Sequence, residues 1–159
     1  MYKILVIAAG IILISLFPVT EHTRVRESSD ITCKDLSSLN HVYRPWRLVV
    51  HNQCITVTGV VRRVLKEPDG DYHIRLIVDK EFRNTINFGN LFELHGDLVL
   101  EPVCAHSSSH DFEKKACGDY KSNVLIPKKG ERIKVTGQYV TDVMHYWREI
   151  HPVYSVSKL

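Results

Sequence analysis

The phrase Ile55-Thr-Val-Thr-Gly-Val-Val-Arg-Arg-Val64 returns as Ile133-Lys-Val-Thr-Gly-Gln-Tyr-Val-Thr-Asp142, an alternating strand with glycine at the same internal position both times. A glycine inside a strand forfeits packing and backbone entropy, so it marks a bulge or the bend where a strand turns a barrel corner. Two such strands predict a small closed barrel. The expected class is all-β with one short helix.

The N-terminal end has a different character. Ile4 to Phe17 is an almost unbroken apolar run behind Lys3, the layout of a secretory signal or a signal-anchor. About 14 residues fall short of the roughly 20 that cross a hydrocarbon core, which favours a cleaved signal. No small-x-small cleavage site follows in Ser15-Leu-Phe17 or Pro18-Val-Thr20. Residues 1–20 are therefore read as a signal peptide or a membrane anchor, and in both cases the remainder is extracytoplasmic. Residues 21–30 are polar and aperiodic, a linker, and the folded domain is expected over 31–159.

The cysteines fit export. Cys33, Cys54, Cys104 and Cys117 all follow the apolar run, and an even number in an oxidising compartment reads as two disulfides. Cys33 and Cys54 bracket the approach to the first strand, and Cys104 and Cys117 bracket one loop, so Cys33 is expected to pair with Cys54 and Cys104 with Cys117. Closing loops of roughly 12 to 20 residues contributes about 3 kcal/mol each on the chain-entropy argument. Paired C-x-x-C spacing is missing, which argues against a cysteine-zinc centre.

Charge excludes a polycation. The formal net charge is +3, one unit of which is Lys3, and the only dense basic groups are Arg62-Arg63 with Lys66 and Lys128-Lys129. Nine histidines would add positive charge on acidification and strengthen any affinity for a polyanion.

Alternation and turn chemistry order the rest of the domain. Asp35 to His51 reads as a short helical turn and an extended lead-in, followed by a first strand from Cys54 to about Lys66. Glu67-Pro-Asp-Gly70 is a hairpin turn, with Tyr72 to Asp79 as the return strand. Asn84, Asn87, Gly89 and Asn90 break any pattern in an excursion over residues 80–95. A third strand is expected over 97–103, a helix within 105–118 capped by a serine or Asp111, a fourth strand over 131–142 and a fifth over 149–157. The predicted order is β-β-β-α-β-β.

That order, with kinked first and fourth strands, resembles the OB-fold, a five-stranded Greek-key barrel. Closer still, Cys54-Ile-Thr-Val-Thr-Gly59, Asp69-Gly-Asp-Tyr-His-Ile-Arg-Leu76, His95-Gly-Asp-Leu-Val-Leu-Glu101, Ile126-Pro127 and the closing Asp142 to Val153 phrase resemble a family of uncharacterised exported microbial proteins. Its closing phrase reads His-Gly-Trp-x-Glu-Ile-His-Pro-Val, and this chain carries Tyr146 in place of the glycine. The resemblance implies the fold and export, and brings no activity with it.

Two sets of residues carry chemistry. On the second strand His73 and Arg75 share one face and Tyr72, Ile74, Leu76 and Val78 the other; on the fifth, Glu149, His151 and Val153 share a face. With Glu101 and His145 these give His73, Glu101, His145, Glu149 and His151, a set suited either to a divalent metal and an activated water or to a hydrogen-bonded network closing the barrel end. The second set, Arg62, Arg63, Tyr72, Arg75, Tyr146, Trp147 and Arg148, combines cations with aromatics as single-strand binders do. No nucleophile elbow or phosphate loop is present, and a nuclease-like use of Asp69, Asp71, Asp79, Arg75 and Glu101 has residue types without a motif. The sequence therefore points to a non-enzymatic binding module for single-stranded nucleic acid or another polyanionic polymer, with no cofactor required. A metal-dependent hydrolytic domain and a structural or protein-interaction module of the cell envelope are the alternatives.

Overall fold

The computed structural model describes residues 33, 36–109 and 111–159. The expected signal or anchor over 1–20 and the linker over 21–30 lie outside the described residues. Among the described residues no helix is long and apolar enough to cross a membrane.

Five strands, β1 (Leu48–Lys66), β2 (Tyr72–Val78), β3 (Leu98–Leu100), β4 (Arg132–Asp142) and β5 (Trp147–Lys158), close into a ring in the order β1-β2-β3-β5-β4. The ring closes because β1 is long enough to serve two neighbours. Its first part, from Leu48 to Val60, pairs antiparallel with β4, and its second, from Gly59 to Lys66, with β2. The last seam is the short parallel pair of β3 and β5, Val99 opposite Glu149 and Leu100 opposite Ile150. Inside the ring lie Val57, Val61, Ile74, Leu76, Leu98, Leu100, Ile133, Val135, Ile150 and Val153, each almost fully buried.

Both repeated glycines occupy places where no side chain fits. A Cβ on Gly59 would strike the Ile77 carbonyl of β2, and one on Gly137 would strike Ile150 and the Pro152 carbonyl of β5. Gly137 also flanks a bulge. From Gly137 to Tyr139 β4 advances two residues, while β5 advances three, from Val153 back to Ile150. This extra residue corrects the expected alternation of β5: Val153 turns into the core with Ile150 rather than continuing the face of Glu149 and His151.

Both expected disulfides are present, Cys33–Cys54 and Cys104–Cys117. The second pins a small satellite core of Val42, Val103 and Cys104 against Leu48 and Tyr120. The predicted helix is α2 (Asp111–Cys117), with Asp111 as its first residue.

A further helix corrects the predicted β-β-β-α-β-β order. The excursion over 80–95 contains a 3-10 turn (Lys80–Thr85) and a helix, α1 (Phe88–Leu94), placed between β2 and β3. The asparagines read as breakers build it. Asn87 accepts the Asn90 N–H at the N-cap, and the Asn90 side chain returns the bond to the Asn87 N–H. Asn90 is fully buried, and its amide also donates to the carbonyls of Asp97 and Arg148 while its oxygen accepts the Arg148 N–H. One side chain thus fastens α1 to the start of β5.

Gly137→Ala is expected to lower stability by about 3 kcal/mol or more, since the added methyl meets a backbone carbonyl that cannot swing aside. Asn90→Ala is expected to cost about 2 to 4 kcal/mol through its orphaned backbone partners. Urea denaturation of each variant measures both, and a loss under 1 kcal/mol in either contradicts the stated packing.

Candidate functional site

The short β3 sets the position of Glu101, the residue that follows it. Its N–H donates to the Ile150 carbonyl at 2.9 Å and its own carbonyl accepts the Val153 N–H at 3.1 Å, so its backbone continues the parallel seam. The side chain is fully buried and holds an imidazole on each oxygen. His73 Nε2, from β2, lies 2.8 Å from Oε1, and His151 Nδ1, from β5, lies 2.8 Å from Oε2.

The contacts continue as a closed circuit. His151 Nδ1 is also 3.0 Å from Glu149 Oε1, and the Trp147 indole N–H donates to Glu149 Oε2 at 2.9 Å. His145 stacks parallel on the Trp147 ring with centroids 4.3 Å apart, and its Nδ1 is 2.9 Å from Asp142 Oδ2. Asp142 pairs with Arg47 at 2.9 Å, and the same guanidinium stands 3.8 Å from Glu101. Asp71 joins from the hairpin, accepting the Cys104 N–H at 2.7 Å.

Burial and charge set the protonation states. Burial alone would depress His73, but the Glu101 carboxylate beside it, aided by Glu67 and Glu149, holds it up at about 9. His151 follows the same logic: burial opposes its charge, and Glu101 and Glu149 push it well above the ordinary imidazole value. Burial would raise Glu101, yet His151 and His73 keep it well below the usual carboxylate range. Glu149 is raised by burial and by its neighbour Glu101. Asp71 is pushed up to about 7 by burial and by Asp69.

Of the five predicted metal-type residues, His73, Glu101, Glu149 and His151 meet directly, while His145 connects through Trp147 and Asp142. Arg47 and Asp142 were not anticipated, while Asp71 was named only among the carboxylates of a nuclease-like arrangement. Asp71 lies two residues before His73, so alternation alone places it on that face once the strand reading is carried one step into the turn. Arg47 and Asp142 come together because β1 starts at Leu48, opposite Asp142, earlier than the predicted Cys54.

The basic candidates divide. Arg62, Arg63 and Arg75 line one groove of about 410 Å³ together with Lys129, Glu93, His95 and Asp97. Arg63 stands directly opposite Arg75 in the β1–β2 ladder, and a bulge between Val61 and Arg63 inserts Arg62 beside them. Arg62 is paired with Asp97 at 2.7 Å. Burial lowers Arg75 from the ordinary guanidinium value; Asp97 opposes this and Arg63 adds to it. The Arg75 guanidinium lies 5.6 Å above the Trp147 ring, linking groove and network. Tyr72, Tyr146 and Arg148 do not line this groove. Tyr72 meets His106 edge-on, Arg148 lies over Tyr139, and Tyr146 is exposed on the β4–β5 turn.

The sign of the pH effect follows from His73. Its proton is bound more tightly in the fold than in the unfolded chain, so its contribution is complete below about pH 6.5 and is lost as pH rises through about 9. In buffer containing EDTA, the urea midpoint is expected to fall between pH 6 and pH 9. His73→Gln is expected to flatten that limb, and an unchanged slope in the variant removes His73 from the account. Glu101→Gln, which removes the carboxylate shared by buried His151 and partly exposed His73, is expected to cost about 3 to 5 kcal/mol near pH 6 by the same measurement.

Comparison with protein-family models and with curated proteins found no match to this chain.

Proposed function

We propose that this chain is an extracytoplasmic OB-type module that binds a polyanionic polymer, with single-stranded nucleic acid as the leading ligand, and acts by binding without turnover. The observation that carries the reading is the Arg63–Arg75 pair. Like charges directly opposite in an antiparallel ladder repel, and an anion seated between them converts that repulsion into attraction. Arg62 and Lys129 extend the positive wall of the same groove.

The ring order, the long β1 shared between β2 and β4, and the bulge at Gly137 of β4 support the OB-type Greek key. Both disulfides are compatible with an oxidising, extracytoplasmic location. The groove favours recognition by charge over base stacking. Trp147, the expected platform, is half-buried with its ring already stacked by His145 and capped by Arg75.

A second reading, a protein-interaction module of the cell envelope, is favoured by one face of α1. Phe88, Leu91 and Phe92 are all exposed there, and the two phenylalanine rings touch at 4.7 Å.

Fluorescence anisotropy of a labelled oligo-dT at about 50 and 200 mM salt tests the first reading. Three to four neutralised phosphates give a slope of log K against log salt of about −2 to −3. Arg63→Ala is expected to weaken binding several-fold and to reduce that slope, while Arg132→Ala, whose guanidinium pairs with Asp79, is expected to leave both unchanged. Failure to bind either oligo-dT or heparin at low salt removes the polyanion reading and favours the α1 face.

A further inference from the structure

The helix α1 turns three large apolar side chains to solvent. Phe88, Leu91 and Phe92, spaced i, i+3 and i+4, share one face and are 73%, 56% and 70% exposed, while Asn90 and Leu94 on the opposite face are buried. The helix cannot roll that face inward. Its capping box and the bonds from Asn90 to Asp97 and Arg148 fix its orientation, and a Cβ at Gly89 would strike the Tyr146 carbonyl. Tyr146, 75% exposed on the β4–β5 turn, borders the same face, and its carbonyl accepts the Asn87 amide at 3.0 Å. Exposed apolar side chains gathered and held in this way mark a surface that meets something less polar than water. Cations begin where this face ends. The groove of Arg62, Arg63, Arg75 and Lys129 is lined also by Glu93, Leu94 and His95, at the C-terminal end of α1. Of its two carboxylates, Asp97 is buried and paired with Arg62, which leaves Glu93 as the exposed one.

We propose that this combined surface docks on an anionic lipid bilayer, with Phe88, Leu91 and Phe92 entering the boundary between headgroups and acyl chains and Arg62, Arg63 and Lys129 meeting lipid phosphates. Aromatic and aliphatic side chains bordered by cations supply both terms of interfacial binding, apolar burial and attraction to anionic headgroups. Charge selects the occupant. Two copies of this chain meeting through α1 would bring their basic grooves together and repel, whereas an anionic headgroup layer attracts the same cations. Chain length permits the contact as well. Roughly 16 residues separate Phe17, the end of the apolar run, from Cys33, a span of at most about 55 Å when extended, so a run retained in the bilayer keeps the domain beside it. The inference goes beyond the polymer ligand of the groove and stands on α1, which the polyanion reading does not use.

The test places the full-length protein in phosphatidylcholine bicelles, with or without about 25% phosphatidylglycerol, and reads amide relaxation enhancement from a doxyl-labelled lipid by NMR. Enhancement is expected to be strongest at Phe88, Phe92 and Tyr146 and several-fold weaker at Lys134 and Ser157, which pair with each other at the far end of β5. It is expected to fall several-fold when phosphatidylglycerol is omitted or when salt rises from about 50 to about 500 mM. The double variant Phe88→Ser, Phe92→Ser keeps the Asn87 and Asn90 bonds; it is expected to lose the enhancement on α1 several-fold and to bind oligo-dT unchanged. Arg63→Ala is expected to weaken both. Enhancement spread evenly over the domain, or equal in the two lipid mixtures, overturns the assignment. So does a shift of the α1 signals that needs no lipid and grows with protein concentration, the mark of a second copy on this face. Absence of oligo-dT binding with the lipid contact intact removes the polymer reading alone, so the two failures are separable. The wild-type comparison of the two lipid mixtures requires no variant, and it decides even where the double variant unfolds.

Discussion

Glu101 holds two strands with one carboxylate at the seam where the ring has least else to hold it. β3 is three residues long and meets β5 through two facing pairs, so the two backbone bonds of Glu101 form a large part of that junction. Its side chain then reaches His73 on β2 and His151 on β5. Buried ion pairs recover their desolvation cost only with good geometry and full hydrogen bonding, and their best-attested contribution is to fix one arrangement over its neighbours. A one-residue slip of β3 would drive the Glu101 carboxylate into the apolar interior and turn Leu100 toward two imidazoles, an exchange no alternative register compensates.

The same residues tie interior to surface. Trp147 donates to Glu149 on the buried side and lies under Arg75 on the groove side, so the groove guanidinium rests on a ring whose position the network sets. His145, stacked on that ring and bonded to Asp142, completes the support. Groove and buried network are thus joined through one rigid aromatic side chain, a short physical path with no long-range relay.

Much of this was legible because strand alternation is a local code. The repeated glycines, the existence and order of the five strands, the hairpin at Gly70 and both disulfides follow from residue type and spacing. The faces of His73, Glu149 and His151 were readable as well, but that Glu101 joins His73 to His151 depends on the strand register, which no local pattern carries. What escaped depends on partners distant in the chain. Asn90 reads as a helix breaker until its amide meets Asp97 and Arg148; only then does its cost become a staple. Arg47 and Asp142 meet because β1 begins six residues earlier than its alternation suggests, and no local signal in the lead-in carries that information. Val153 changed sides through a bulge, whose extra residue is visible only in the register between two strands.

The length of β1 has a consequence for how the chain must assemble. Its pairing with β2 is local, but its pairing with β4 joins Leu48 to Asp142 and Val60 to Arg132, contacts that wait for most of the domain to emerge. Contacts of such sequence separation slow folding, and a long strand with one side unpaired is exposed to association meanwhile. Both disulfides lie within segments that are complete before β4 arrives, closing loops of 21 and 13 residues. A chain of this order can therefore lock its two local loops while the ring is still open, and ring closure becomes the last event of its maturation.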